Sequence, residues 1–314
     1  MEFLRFLESI RTPFGDAFFS TVTQLGEETV FILIGLLFFW CINKKQGYYL
    51  LSIGLVGTVL NQFLKLIFRV PRPWVKYPDF TIVESAQSAA AGYSFPSGHT
   101  QAGVGIFGGI ARFNKNALVR VICIIICILV AFSRMYLGVH TPADVIVSAV
   151  LALILIFVFY PLIQKAFTNK KLMRIFFTCM TAFSLAFLLF VSFYNFPANT
   201  DAHNLASGTK NAYTMLGCIL GLWVVYEVDE RFIKFDTKAV WWVQILKLVL
   251  GLIPIIAIKA GLKQPLYMIF GERYFADTIR YFLLTAFAGC VWPLTFPIFV
   301  RLSKFNMHKK ENKK

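Results

Sequence analysis

Long apolar runs separated by short polar turns dominate the chain. Nine of them read as membrane-spanning helices, at residues 28–43, 47–69, 97–113, 117–133, 142–162, 173–195, 211–227, 239–258 and 278–301. A span needs roughly 20 residues to cross a hydrocarbon core; the shorter runs can cross if flanking side chains snorkel or the bilayer thins. Ahead of them, Phe3, Leu7, Ile10, Phe14 and Phe18 recur at helical spacing, while Glu2, Arg5, Glu8, Arg11 and Asp16 break any long apolar core. This pattern predicts an amphipathic interfacial segment over 1–27, interrupted at Pro13, rather than a cleaved signal peptide. The predicted fold is all-α, a polytopic transmembrane helical bundle of about nine spans. Its plan has three parts: the segment 1–27, a membrane core over 28–197, and three further spans within 198–314 that carry no recognisable motif. A soft boundary falls at 196–210.

Composition fits the bilayer as solvent. The 314 residues are 58% hydrophobic, 17% aromatic and 15% charged, against roughly 25% charged in soluble domains. A net charge of +15 raises nucleic acid as a partner, but the basic residues cluster in turns between apolar runs, so orientation explains them better. With the N-terminus outside and the C-terminus inside, 18 of the 31 Lys and Arg fall on inner segments, six of them in the tail Arg301–Lys314. That orientation puts the loop 70–96, the start of the span at 97 and the loop 134–141 on the extracytoplasmic or lumenal face. A bacterial cell membrane is favoured over the endoplasmic reticulum, and the oligomeric state is left open. The six cysteines all lie in apolar runs without a CxxC. They read as packing residues, and no metal site or cofactor is expected.

Three polar stretches interrupt this plan where a structural reading alone is insufficient. In KLIFRVPRP, Lys65, Arg69 and Arg72 are spaced four and three apart, as on one helix face at the outer end of the second span. In GYSFPSGHTQ, Pro96 suits the first turn of a helix, Ser97 brings a hydroxyl and Gly98 permits close backbone approach, so a helix N-terminus there can meet an anion. His99 adds a proton donor or acceptor. In SRMYLGVHTPAD, Thr141, Pro142 and Asp144 read as N-cap, N1 and N3 of a helix. His140 stands four before Asp144, within reach of its carboxylate; Asp144 then serves both cap and site, or the cap alone. Arg134 supplies a planar cation suited to phosphate. Together, Lys65, Arg72, Arg134, Ser97 and Gly98 compose a cradle for a tetrahedral oxyanion, leaving two histidines and a carboxylate for chemistry.

These motifs resemble the type 2 phosphatidic acid phosphatase superfamily, which includes glucose-6-phosphatase and the vanadium haloperoxidases. The family pattern of Lys-x6-Arg-Pro, Pro-Ser-Gly-His and Ser-Arg-x5-His-x3-Asp is met, in order, by Lys65…Arg72-Pro73, Pro96-Ser97-Gly98-His99 and Ser133-Arg134…His140…Asp144. The resemblance covers about 28–165. It implies a metal-independent phosphatase in which His140 attacks phosphorus and becomes a phosphohistidine. Asp144 would orient His140. His99 would protonate the leaving oxygen and then activate water, while Lys65, Arg72, Ser97, Gly98 and Arg134 hold the phosphate. The substrate it implies is a lipid phosphate in the bilayer, of the phosphatidate, phosphatidylglycerophosphate, sphingoid-base phosphate or polyprenyl diphosphate type. A sugar phosphate, as for glucose-6-phosphatase, is the enzymatic alternative. A lipid or anion transporter with a degenerate phosphatase core is the non-enzymatic one.

Other signals are weaker. Trp74, Tyr77, Phe80 and Tyr93, in the loop 74–95, are candidates for substrate contact or for interfacial anchoring. Gly103, Gly105 and Gly108 spell GxGxxG, but no strand precedes them; Gly105 and Gly109 suit close helix packing instead. His203 reads as a solvated loop residue, His308 as part of the basic tail, and Lys247 as a snorkelling cation.

Overall fold

The computed structural model of the chain describes residues 1–87, 90, 92–271 and 273–302. Among these residues every regular element is helical. The N-terminal segment forms α1 (Glu2–Ser9) and α2 (Pro13–Thr23), with Pro13 in the first turn of α2. Then follow α3 (Glu28–Leu37), prolonged by a wider turn over Phe38–Ile42, and α4 (Lys44–Phe68). A four-residue α5 (Pro73–Lys76) sits in the next loop. The helix α6 (Gly98–Gly103) runs through a wide turn into α7 (Gly109–Phe113). The long helices α8 (Ala117–Tyr136), α9 (Pro142–Ala166), α10 (Lys170–Phe193) and α11 (Ala202–Val228) follow. The chain continues with α12 (Trp241–Gly261), α13 (Lys263–Phe270) and α14 (Arg273–Ala286). The basic tail beyond Leu302, His308 included, lies outside the described residues.

Short polar residues fix where the helices begin. Thr12, Asn43, Ser97, Asn116, Thr141, Asn169 and Asp201 each accept a hydrogen bond from a backbone N–H of the following first turn. Such caps are worth about 0.5–2 kcal/mol each. Asp201 caps α11 inside the expected 196–210 boundary, so more than half of that stretch is helix. Pro161 and Pro254 lie within α9 and α12, as membrane helices tolerate when neighbours satisfy the freed carbonyl.

Among the described residues, seven segments are long and apolar enough to cross a membrane. They become eight if the bent pair Pro13–Gly26 and Glu28–Ile42, with 50° between its halves, is one span. The apolar pattern predicts nine. The difference lies in 28–42 and 98–113, which at 1.5 Å per residue extend only about 22–24 Å. The second of these is enclosed by its neighbours: Val104, Gly105, Ile106 and Phe107 are buried. Gly105 and Gly109 lie against Ile53 and Leu50 of α4, so the GxGxxG stretch is a helix-packing surface.

The two ends of the bundle differ. At one end, Lys44 pairs with Asp229 (2.6 Å) and Arg174 forks onto Glu227 (2.7 and 3.0 Å). Lys247 is buried there rather than snorkelling to water, with Nζ donating to the Thr237 carbonyl (3.2 Å) and lying 4.4 Å from the Phe296 ring centroid. At the other end, the N-terminal segment clasps the loops that carry the polar motifs. Arg5 pairs with Asp79, Glu8 accepts from the Thr81 N–H (2.8 Å), and Arg11 Nε donates to the Tyr136 carbonyl (3.0 Å). Leu4 and Leu7 are buried in this contact, while Phe3, Phe6, Phe14 and Phe18 face outward. The segment is thus amphipathic but also packs on the bundle.

Candidate active site

The three motifs converge at that second end. Lys65 comes from the last turn of α4, and its ammonium donates to the Tyr93 carbonyl. The helix stops three residues later. Arg69 takes a left-handed conformation (φ 49°) and its guanidinium folds back to the Leu66 carbonyl (2.9 Å). Val70 and Arg72 each precede a proline, which biases them to extended backbone, and Arg72 has ψ 154°. The expected helix face shared by Lys65, Arg69 and Arg72 therefore does not form. Arg69 caps its own helix, and Arg72 enters the site from the loop. Its Nε donates to the Gly92 carbonyl (3.0 Å), and its Nη1 meets the Val139 carbonyl (3.0 Å) and His140 Nε2 (2.8 Å).

In the second motif Ser97, not Pro96, opens the helix. Ser97 is the N-cap, its Oγ accepting from Thr100 N (3.4 Å) and Thr100 Oγ1 (3.0 Å), which leaves Pro96 outside the first turn. The Ser97 N–H donates to the Asp144 carbonyl (3.2 Å), tying α6 to the start of α9. Among the described residues, a Cβ on Gly98 would meet only Asn61 Oδ1, at 3.8 Å, which leaves this backbone open to close approach.

The third motif is a tight turn between α8 and α9. The Arg134 carbonyl accepts from the N–H groups of Val139 (3.1 Å) and His140 (3.2 Å). Gly138 has φ +82°, and a Cβ there would stand 2.6 Å from Arg11 Nη2 and 3.0 Å from the Phe80 ring, so the turn requires glycine. Thr141 and Asp144 form a reciprocal capping box. Asp144 Oδ2 accepts from Thr141 N (2.8 Å) and Ser94 Oγ (2.6 Å) and lies 3.4 Å from His140 Nδ1. One carboxylate thus caps the helix and faces the imidazole. With Arg72 donating to Nε2, the ring's hydrogen sits on Nδ1, toward Asp144, and the Nε2 lone pair faces the cations.

The electrostatics are lopsided. Lys65, Arg72 and Arg134 are 5%, 6% and 0% exposed, around a His140 that is itself buried. Burial, then Arg72, Arg134, Lys65 and His99, push the His140 pKa well below the ordinary imidazole value, so the ring is neutral at pH 7. Arg134 Nη1 donates to Thr23 Oγ1 (2.6 Å), but its Nε and Nη2 have no partner among the described residues. Among the described residues of this site, three buried cations stand beside one buried carboxylate, that of Asp144, which is costly unless an anion joins them. Among the described residues, no three His, Cys, Asp or Glu cluster as metal ligands would.

Above the cradle lies a cavity of about 910 Å³, with Arg69, Arg72, Trp74, Tyr93 and His203 in its walls. Of the loop residues considered for substrate contact, Trp74 and Tyr93 line this cavity, and His203 belongs to its wall at the start of α11. Tyr77 and Phe80 do not. Phe80 is buried beneath the Arg11 guanidinium (5.6 Å to the ring centroid), because the 77–81 turn is held by the N-terminal segment. Residues 88, 89 and 91 of this loop lie outside the described residues. A second cavity, about 80 Å³, leads from Gly98 past the amides of Asn61 and Gln101, which have no partner among the described residues, to Phe31, Leu51 and Ile53, between α3 and α4.

Three site groups went unnoticed in the sequence: Ser94 on Asp144, Thr23 on Arg134, and Glu27, whose Oε1 is 3.0 Å from His99 Nε2. Ser94 lies inside the GYSFPSGHTQ stretch. Thr23 and Glu27 carry no local signal.

A family model of the PAP2 superfamily matches residues 45–168, and one of the PAP2 superfamily phosphatase, transmembrane extension, matches 213–304; together they span more than half of the chain. The chain belongs to the PAP2 superfamily. The first PAP2 match contains every residue of the three motifs and neither Thr23 nor Glu27. The second assigns most of 198–314, where the sequence showed no motif, to a recurrent extension. The chain is 34% identical over 118 residues to undecaprenyl-diphosphatase BcrC of Bacillus subtilis (38% of this chain, 58% of the relative). It is 31% identical over 150 residues to sphingosine-1-phosphate phosphatase 1 of Mus musculus (45% and 34%). To phosphatidylglycerophosphatase B of Bacillus subtilis it is 29% identical over 176 residues (51% and 79%). It thus spans less than two thirds of the first two relatives. No solved structure matches it at comparable significance.

Proposed function

We propose that this chain is an integral membrane phosphatase that hydrolyses a lipid phosphate or diphosphate through a phosphohistidine. The observation that carries the reading is the buried excess of cations around a neutral His140, with two Arg134 donors unpartnered among the described residues. That arrangement suits a multiply charged oxyanion, and phosphoryl transfer rests chiefly on positioning and charge stabilisation.

His140 Nε2 attacks phosphorus as the bond to the leaving oxygen breaks. His99 gives its proton to that oxygen. Asp144 steadies the positive charge spreading over the His140 ring. His99 then takes a proton from water, which attacks phosphorus, breaks the P–N bond and releases inorganic phosphate. Lys65, Arg72, Arg134, Ser97 and the Gly98 N–H hold the equatorial oxygens throughout. Arg72 Nη1 passes from His140 Nε2 to phosphate when substrate enters.

The substrate class follows from the surroundings. The narrow cavity at Gly98 is lined between α3 and α4 mostly by apolar groups, Phe31, Ile32, Leu51 and Ile53 among them, beside Glu28, Asn61 and Gln101, an amphipathic setting that suits an amphiphilic substrate. The relatives above are named for lipid phosphates or diphosphates. Residues 28–197 form the catalytic core and 198–314 complete the bundle; the site faces the extracytoplasmic or lumenal side. The test is phosphate release from phosphatidate, phosphatidylglycerophosphate, sphingosine 1-phosphate, a polyprenyl diphosphate and glucose 6-phosphate. A long-chain substrate should be preferred, and His140→Ala should lower its turnover at least about 10³-fold. Preference for glucose 6-phosphate would overturn the lipid reading; lipid movement without phosphate release would overturn the enzymatic one.

A further inference from the structure

The site holds a second carboxylate that the three motifs do not supply. Glu27 is the N-cap residue of α3, at the bend between the N-terminal segment and the bundle, and its Oε1 lies 3.0 Å from His99 Nε2. The approach depends on Gly26. A Cβ there would stand 2.7 Å from the His99 carbonyl oxygen and 2.8 Å from Val130 Cγ1. Four residues before Glu27, Thr23 accepts from Arg134. One short segment, ahead of both family matches, therefore braces a phosphate-holding cation and the second histidine.

We propose that Glu27 is the positioning residue for His99: it holds the ring by Nε2, leaves Nδ1 for the leaving oxygen, and by its charge favours the protonated imidazole that must donate. The inference rests on the reading of His99 as the general acid. Besides Glu27, the groups that act on His99 are Arg134 from α8, Arg72 from the loop after α4, and His140 just before α9. Burial, then Arg134 and Arg72, oppose a proton on His99 and hold its pKa below the ordinary imidazole value. Glu27 is the carboxylate in direct contact with it and offsets part of that opposition. Its own pKa is held below the usual carboxylate value, chiefly by the hydrogen bond to His99, so it stays ionised at neutral pH. Its side chain is 32% exposed and that of His99 14%, so Glu27 is the more solvent-exposed partner of the pair. The two histidines then have parallel supports: Asp144 at Nδ1 of the nucleophile, Glu27 at Nε2 of the acid.

The test is the pH profile of kcat/KM for phosphate release by the full chain in detergent, compared for wild type, Glu27→Gln and Glu27→Asp. The acid limb reports a nucleophile that must be neutral, and the alkaline limb an acid that must be charged. Glu27→Gln should move the alkaline limb down by about one pH unit, leave the acid limb in place, and lower kcat/KM at neutral pH about 10–100-fold. Glu27→Asp should recover part of the shift. A Glu27→Gln profile unchanged in shape, including one merely scaled down, overturns the inference. If Glu27→Gln does not fold, as judged by thermal melting, Glu27→Asp carries the test, and an unmoved alkaline limb overturns the inference. Absence of phosphate release by the wild type would instead overturn the underlying reading and this inference with it.

Discussion

Arg72 concentrates the demands of the site in one side chain. Its planar fork meets the Gly92 and Val139 carbonyls and His140 Nε2 at once. A lysine keeps the charge but cannot satisfy that geometry. Arg72→Lys should lower kcat/KM about 10–100-fold, chiefly through KM, in steady-state phosphate release; unchanged constants would remove Arg72 from the site. The buried imidazole makes a second statement at this scale. The pKa of His140 is depressed by burial and by Arg72, Arg134, Lys65 and His99, and the nucleophile proposed above is the neutral ring. As pH falls past the ordinary value of about 6.5, it stays neutral. The acid limb of kcat/KM should therefore lie below that value, and an acid limb at or above it would contradict the environment described. The motif residues were legible because each short run keeps its polar groups a few positions apart, inside the segment that matches the PAP2 model. Glu27, Thr23 and Ser94 were not, because their partners lie 72, 111 and 50 positions away and leave no periodic trace.

Among the elements, the helices that the bilayer dictates were the most readable. A run long enough to span has no alternative to helix in lipid, and its start is marked by a capping side chain. The shorter elements obey local contacts that periodicity does not encode. Lys65, Arg69 and Arg72 have helical spacing, yet two X–Pro steps turn the chain after Phe68. Pro96 looks like a first-turn proline, yet the Ser97 hydroxyl takes the cap. Residues 98–113 fall short of a full crossing because their first turn belongs to the site, and their walls are other helices rather than lipid. The amphipathic pattern of 1–27 was visible as an interfacial helix. Its grip on Asp79, Thr81 and Tyr136 was not, since only the folded chain brings those loops within reach.

For the molecule as a whole, the central claim is that a phosphate pocket is assembled from chain segments that only the bundle brings together. The end of α4, the start of α6 and the α8–α9 turn supply the groups, and the N-terminal segment braces them. Neither hydropathy nor motif spacing reports that convergence; the hydrogen bonds between Arg72 and His140, Ser97 and Asp144, and Thr23 and Arg134 do. The most direct measurement is to quench the purified enzyme during turnover of a ³²P-labelled lipid phosphate and map any protein-bound label. An acid-labile, alkali-stable phosphoryl group on His140, absent from His140→Ala and strongly reduced in Arg72→Lys, is the predicted result. Label on another residue, or efficient turnover by His140→Ala, would contradict the account.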